Sequence, residues 1–265
     1  MPRTAFLSTG FHVPSHVVTN DDLAKIMDTS DEWILQRSGI KTRYWVDKGD
    51  TGVALAREAS QKALDKAGLA LVGAEVHSRG LDKTTRGRDT AVLFGDGAGA
   101  AVLGPVDDDG RGVLSTHIFA DGRYAEKLWV DGPGLAHDPY VSVEMLEQGL
   151  HRAVMEGRDV FKFASIKMPE SIAIALKTNR LTPADINLLV PHQANQRIIE
   201  MVQKAAGLRD DQVYSNIQKY GNTTAASIPI ALDEALAEGR LKQGDLLVLT
   251  AFGSGFTWGS AAIRW

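Results

Sequence analysis

Apolar residues recur at helical spacing over Thr51–Ala67, where Val53, Leu55, Ala56, Ala59, Ala63, Leu64 and Ala67 share a face that Gly68 closes. Two shorter helices precede it. One runs from Asp21 to Met27 behind an Asn20 cap, the other from Thr29 to Gln36 with Ser30 as cap and Trp33 and Ile34 inside. Strands are expected at Thr4–Gly10, Leu71–Val76, Thr90–Phe94 and Ala100–Leu103. Leu69-Ala70 leaves almost no loop between the long helix and the Leu71 strand. Farther on, Ser142–Phe163 reads as mainly helical, followed by a helix at Lys167–Thr178 and a helical turn at Thr182–Asp185. Then come strand Ile186–Val190, helix Asn195–Ala206 ended by Gly207, and helix Thr224–Glu238 with Pro229 in its first turns. Strands Asp245–Ala251 and Ser260–Arg264 finish the chain.

This alternation predicts an α/β fold. Ala91–Gly97 with Ala100–Leu103 resembles Val248–Gly255 with Ser260–Ile263, each reading as strand, glycine-rich turn, strand. Two related halves would produce that repeat, and so would two unrelated buried hairpins.

Composition narrows the function classes. At 265 residues the chain can bury one or two cores. A net charge of -4 argues against a general nucleic-acid binder. No apolar run is long enough to span a membrane, and Met1–Leu7 lacks a secretory signal pattern, so a cytoplasmic location is expected. There is no cysteine, hence no disulfide and no thiol nucleophile in this sequence.

Most glycine motifs read as structural. The expected turn at Gly95–Gly99 leads into a strand, whereas pyrophosphate binding needs a helix there. Gly253-Ser254-Gly255 fails the nucleophile-elbow pattern, and Asp107–Asp109 lacks the spacing of a calcium loop. His192 follows a buried-looking strand and Pro191, at a strand end where α/β folds bind ligands. Position alone leaves a structural and a ligand-facing role equally open for it. Asn222, beside Gly221, reads by itself as a turn or cap residue.

Together, Val190-Pro191-His192-Gln193-Ala194-Asn195-Gln196-Arg197, Gly221-Asn222-Thr223-Thr224 and Phe252–Gly259 resemble the 3-oxoacyl-[acyl-carrier-protein] synthase III family. Thr29–Ile34 with Arg37-Ser38-Gly39-Ile40 is similar to its coenzyme A entry segment. The resemblance implies a thiolase-like fold of two related α/β halves in an αβαβα arrangement, here residues 1–105, shortened, and 106–265. It implies decarboxylative condensation of an acyl-CoA with malonyl-acyl carrier protein. His192 and Asn222 would be catalytic, and the Ser254 backbone N–H would hold an oxyanion. Trp33, Arg37, Arg158 and Asn195 would bind coenzyme A, while Lys162 and Arg197 would dock the carrier protein. Coenzyme A thioesters would be substrates, and no metal or resident cofactor is implied.

The resemblance also implies a missing segment. The family carries several dozen residues, nucleophilic cysteine included, where this chain passes from about Gly68 to Leu71. The absent strands would sit together at one sheet edge, leaving those near Thr4, Leu71 and Thr90 as neighbours. That edge makes the family's homodimer contact, so dimerisation is in doubt here. A malonyl-thioester decarboxylase and a non-catalytic coenzyme A or carrier-protein binder are the rival readings.

Overall fold

The computed structural model describes residues 3–64, 69–107 and 110–265. Its strands are β1 Arg3–His12, β2 His16–Thr19, β3 Thr42–Trp45, β4 Leu69–Glu75, β5 Gly97–Val106, β6 Gly112–Ala120, β7 Leu128–Val130, β8 Ala153–Met155, β9 Leu188–Pro191, β10 Leu246–Gly253 and β11 Thr257–Arg264. Its helices are α1 Asn20–Ala24, α2 Asp31–Ser38, α3 Gly52–Ala63, α4 Arg88–Ala91, α5 Val143–Gln148, α6 Gly157–Thr178, α7 Gln196–Ala205, α8 Ile217–Tyr220 and α9 Ser227–Ala237.

The two main sheets share a pattern. One has the order β1-β5-β4, the other β6-β11-β10-β9. In each, a strand late in the chain lies between two earlier ones and runs antiparallel to both. The second sheet adds β9, parallel to β10. Among the described residues, β4 has no such neighbour and is an edge strand, with Leu69, Leu71 and Val72 exposed.

Alternating side chains stack the sheets with helices. On β5, Ala98, Ala100 and Val102 pack against Leu55, Ala59 and Ala63 of α3. On β9, Leu189 faces Met168 and Ile172 of α6 and Val202 of α7, while Leu188 and Val190 face Ala231, Leu232 and Ala235 of α9. Helix α9 also packs against β1 and β5. The layers therefore run α3, first sheet, α9, second sheet, α6.

The first sheet accepts the middle layer because its backbone is bare at the contacts. A Cβ on Gly73 would overlap the Ala225 carbonyl, and one on Gly95 would overlap that of Tyr220. Asp96, just before β5, ties that strand's start to the ends of β3 and β4. Its fully buried carboxylate accepts N–H bonds from Val46 (2.7 Å) and Ser78 (2.9 Å).

Several expectations change. Thr90–Phe94 is not a strand: α4 ends at Ala91, and β5, not this segment, separates β1 from β4. Gly97–Gly99 belong to β5, so the expected Gly95–Gly99 turn is a strand entry and the first half has no matching hairpin. The Ser142–Phe163 helix is interrupted by left-handed Gly149 (φ 78°) and by β8. Helix α6 then runs through Pro169, joining two segments expected to be separate. Thr19, not Asn20, caps α1, in a box with Asp22, and the Asn20 carboxamide is buried against Asp31 and the Ile40 carbonyl. The helix closure at Gly68, its junction to Leu71, and Asp108–Asp109 of the acidic turn lie outside the described residues.

Gly95→Ala forces the Tyr220 carbonyl away and should cost about 1–3 kcal/mol of stability. Urea denaturation checks this: the midpoint falls while the slope is unchanged.

Candidate functional site

His192 leaves the end of β9, and its N–H donates to the Thr250 carbonyl of β10 (2.8 Å). It thus stands at the carboxyl ends of two parallel strands. Gln193 braces the turn. Its buried carboxamide donates to the Pro191 carbonyl (2.8 Å) and accepts the Asn216 N–H (3.0 Å). The His192 Nδ1 lies 2.6 Å from Ser227 Oγ. Burial pushes the imidazole pKa down to about 4, so the ring is neutral near pH 7.

Asn222 is pinned on three sides. Its N–H donates to the Leu93 carbonyl (2.8 Å), its carbonyl accepts from Gly95 N–H (3.0 Å), and its Oδ1 accepts from Thr224 N–H (2.9 Å). With the oxygen engaged, the side chain presents its NH2 as donor. Thr224 adopts φ 44°, and its Oγ1 meets His77 Nε2 (3.2 Å). His77 in turn packs on Phe94, with 4.8 Å between centroids and the rings tilted by 33°. The short segment 222–227 therefore carries both Asn222 and the serine that touches His192.

Ser254 occupies the exposed turn between β10 and β11. The turn is anchored by Phe256, whose N–H and carbonyl bond Asp121 (2.8 and 2.7 Å). The Phe256 ring is buried against Tyr124, Phe163 and Phe252. Because β10 neighbours β9, the turn emerges from the sheet end that carries His192.

A second cluster forms around Trp33 on α2. The Arg37 guanidinium lies 4.5 Å from the indole centroid, and that of Arg88 lies 5.1 Å away. Arg37 pairs with Asp89 (3.6 Å), and Arg88 donates to the Asp28 carbonyl (2.7 Å). Asn195 caps α7 with its side-chain oxygen, while its NH2 donates to the Arg37 carbonyl (2.8 Å). It joins α7 to the end of α2.

Arg158 and Lys162 lie one turn apart on α6, both exposed. Exposed Arg197 lies over Phe161 of the same helix at 5.3 Å. These three cations lie on the adjoining starts of α6 and α7. Among the described residues no acid–histidine group could hold a metal ion, and no helix is long and apolar enough to cross a membrane.

Sequence reasoning missed Arg88, Ser227 and His77. Arg88 was hidden because the segment after it reads as a strand. Ser227 and His77 act across 35 and 147 residues of chain, without a local signature.

Residues 51–122 match the family model "3-Oxoacyl-[acyl-carrier-protein (ACP)] synthase III", and residues 176–265 match the model of that family's C-terminal part. The chain is 38% identical to a beta-ketoacyl-[acyl-carrier-protein] synthase III of Caldanaerobacter subterraneus over 325 residues, covering 98% of this chain and 97% of that protein. Since this chain has 265 residues, at least 60 of those 325 aligned positions (325 less 265) have no counterpart in it. The crystal structure of a 3-oxoacyl-[acyl-carrier-protein] synthase III from Aquifex aeolicus superposes with a TM-score of 0.87 at 33% identity, covering 99% of this chain and 100% of that one. A Thermus thermophilus synthase III gives 0.89 at 33%, covering 98% and 99%. The fold is therefore thiolase-like.

The His192 shift has a stability consequence. Between pH 6.5, the unfolded value, and about 4 the unfolded chain binds a proton that the folded chain refuses. Stability should be independent of His192 above pH 6.5 and fall below it, by up to about 3 kcal/mol. Urea midpoints of the wild type and His192→Gln between pH 4 and 8 check this: the variant loses that part of the slope.

Proposed function

The chain belongs to the 3-oxoacyl-[acyl-carrier-protein] synthase III family, the initiating condensing enzymes of type II fatty acid synthesis, and on that premise we propose that its site activates a malonyl thioester. The observation that carries the reading is the pairing of two neutral donors, His192 and Asn222, through one short segment. Malonyl decarboxylation breaks a carbon–carbon bond. Carbon dioxide leaves, and the electron pair passes into an enolate whose negative charge falls on the thioester oxygen. Donors fixed before the reaction stabilise that oxygen without reorganising, each by a few kcal/mol. A cationic imidazole would attract the malonate carboxylate in the ground state as well. A neutral one favours the charge that develops later.

The other parts fit the same substrate class. The indole of Trp33, flanked by Arg37 and Arg88, suits an adenine and its phosphates. Asn195 positions Arg37 through the backbone. Arg158 suits an anionic group of coenzyme A, and the cations Lys162 and Arg197 suit the acidic surface of a carrier protein. The Ser254 N–H is the candidate oxyanion donor. The partners on this reading are acyl-CoA and malonyl-acyl carrier protein.

The absence of cysteine favours a second outcome for this sequence. Without a thiolate the acyl half-reaction has no nucleophile, and the enolate takes a proton from water to give an acetyl thioester. The positions missing from the alignment are where we place the nucleophile, in the segment lost after Gly68.

Two measurements test the reading. Carbon dioxide release from malonyl-CoA should fall roughly 100-fold in His192→Ala and in Asn222→Ala; rates equal to the wild type refute the assignment. Intact-protein mass after incubation with acetyl-CoA should show no covalent acetyl adduct, and a stable single-site adduct would refute the decarboxylase outcome.

A further inference from the structure

The hydroxyl of Ser227 has a proton balance that decides which nitrogen of His192 carries hydrogen. Ser227 is buried at the start of α9, and among the described residues two groups reach its Oγ. One is the Gln193 backbone N–H at 3.4 Å, which can only donate. The other is His192 Nδ1 at 2.6 Å. If Nδ1 bore a proton, it would donate to Ser227 Oγ, and the serine's own O–H would be left buried without an acceptor. Leaving a buried donor unmade is unfavourable. If the serine donates to Nδ1, every group is satisfied.

We propose that Ser227 is a positioning residue that sets the His192 tautomer: its hydroxyl donates to Nδ1, so Nε2 carries the proton and faces the ligand as a donor. This rests on the malonyl-activating reading, because only a ring with Nε2–H can stabilise an enolate oxygen. The opposite tautomer would present a lone pair to that oxygen and repel it. The geometry also explains why Asn222 and Ser227 lie on one segment. Asn222 shows its NH2 because Thr224 N–H takes its oxygen, and His192 shows Nε2–H because Ser227 takes its other nitrogen. One stretch of backbone orients both donors.

Ring nitrogens of neutral histidine separate clearly into protonated and unprotonated types in long-range 1H–15N correlation spectra. With seven histidines in the chain, His192→Gln identifies the signals by their loss. At pH 7 the wild type should show Nε2 protonated and Nδ1 unprotonated. Ser227→Ala should give a mixture or the reverse, while Ser227→Thr, which keeps a hydroxyl, should retain the wild-type pattern. Carbon dioxide release from malonyl-CoA should drop roughly tenfold in kcat for Ser227→Ala, with KM little changed, and recover in Ser227→Thr. A wild-type spectrum with Nδ1 protonated, or a Ser227→Ala spectrum identical to wild type, overturns the proposal. The wild-type spectrum decides the first point even if Ser227→Ala does not fold. The spectra do not depend on turnover, so an inactive wild type with the expected tautomer refutes the malonyl reading alone.

Discussion

The fold turns on the close approach of one backbone to another. The segment from Tyr220 to Ile230 lies against the first sheet at Gly73 and Gly99 and against Gly95 just before β5, where side chains of any size would force it away. That contact seats α9 between the sheets, and it places Asn222 where Leu93 and Gly95 clamp its backbone. Polar groups buried by such an approach must find partners. Main-chain bonds joining Leu93 and Gly95 to Asn222 supply some of them, and side-chain bonds at Asn222 and Thr224 supply others. The position of the carboxamide is therefore a consequence of packing between layers, not of the loop's own preference.

A related economy governs electrostatics. His192 lies where desolvation holds its ring neutral, and no carboxylate among its described contacts restores the charge. Farther out, the side chains of Arg37, Arg88, Arg158, Lys162 and Arg197 lie at or near the surface. On the proposed reading, the arrangement would separate long-range attraction of anionic thioesters from the short-range donors aimed at one oxygen.

Much of this was legible in sequence where the determinants are local. Ser30, read as a cap, accepts the Trp33 N–H, and the helices read as starting at Thr51 and Asn195 begin one residue later, with those two residues as their caps. The β9–His192 boundary was readable from a buried run and a proline. Thr90–Phe94 was not, because a short apolar run has no period to separate strand from buried turn. Here Ala91 and Val92 are buried in a cluster with Leu23, Ile34 and Trp45, and that tertiary packing selects the helical form. His192 and Asn222 gained meaning from the family resemblance, whereas Ser227 and Arg88 needed coordinates. Their partners are distant in the chain, and neither sits in a pattern that spacing reveals.

The middle layer also sets the order in which the molecule can be completed. Thr9 of β1 donates to Asp233 of α9 at 2.5 Å, across 224 residues. Strand β1 is thus covered on its inner face by a helix that lies 224 residues further along the chain. Until that helix is made, α3 covers the other face of the first sheet, and the sheet's glycine-lined side lacks the helix that packs on it. Such long-range closure slows folding and prolongs the exposure of unfinished surfaces. For this protein, β1 cannot be finished until the chain has been made as far as α9.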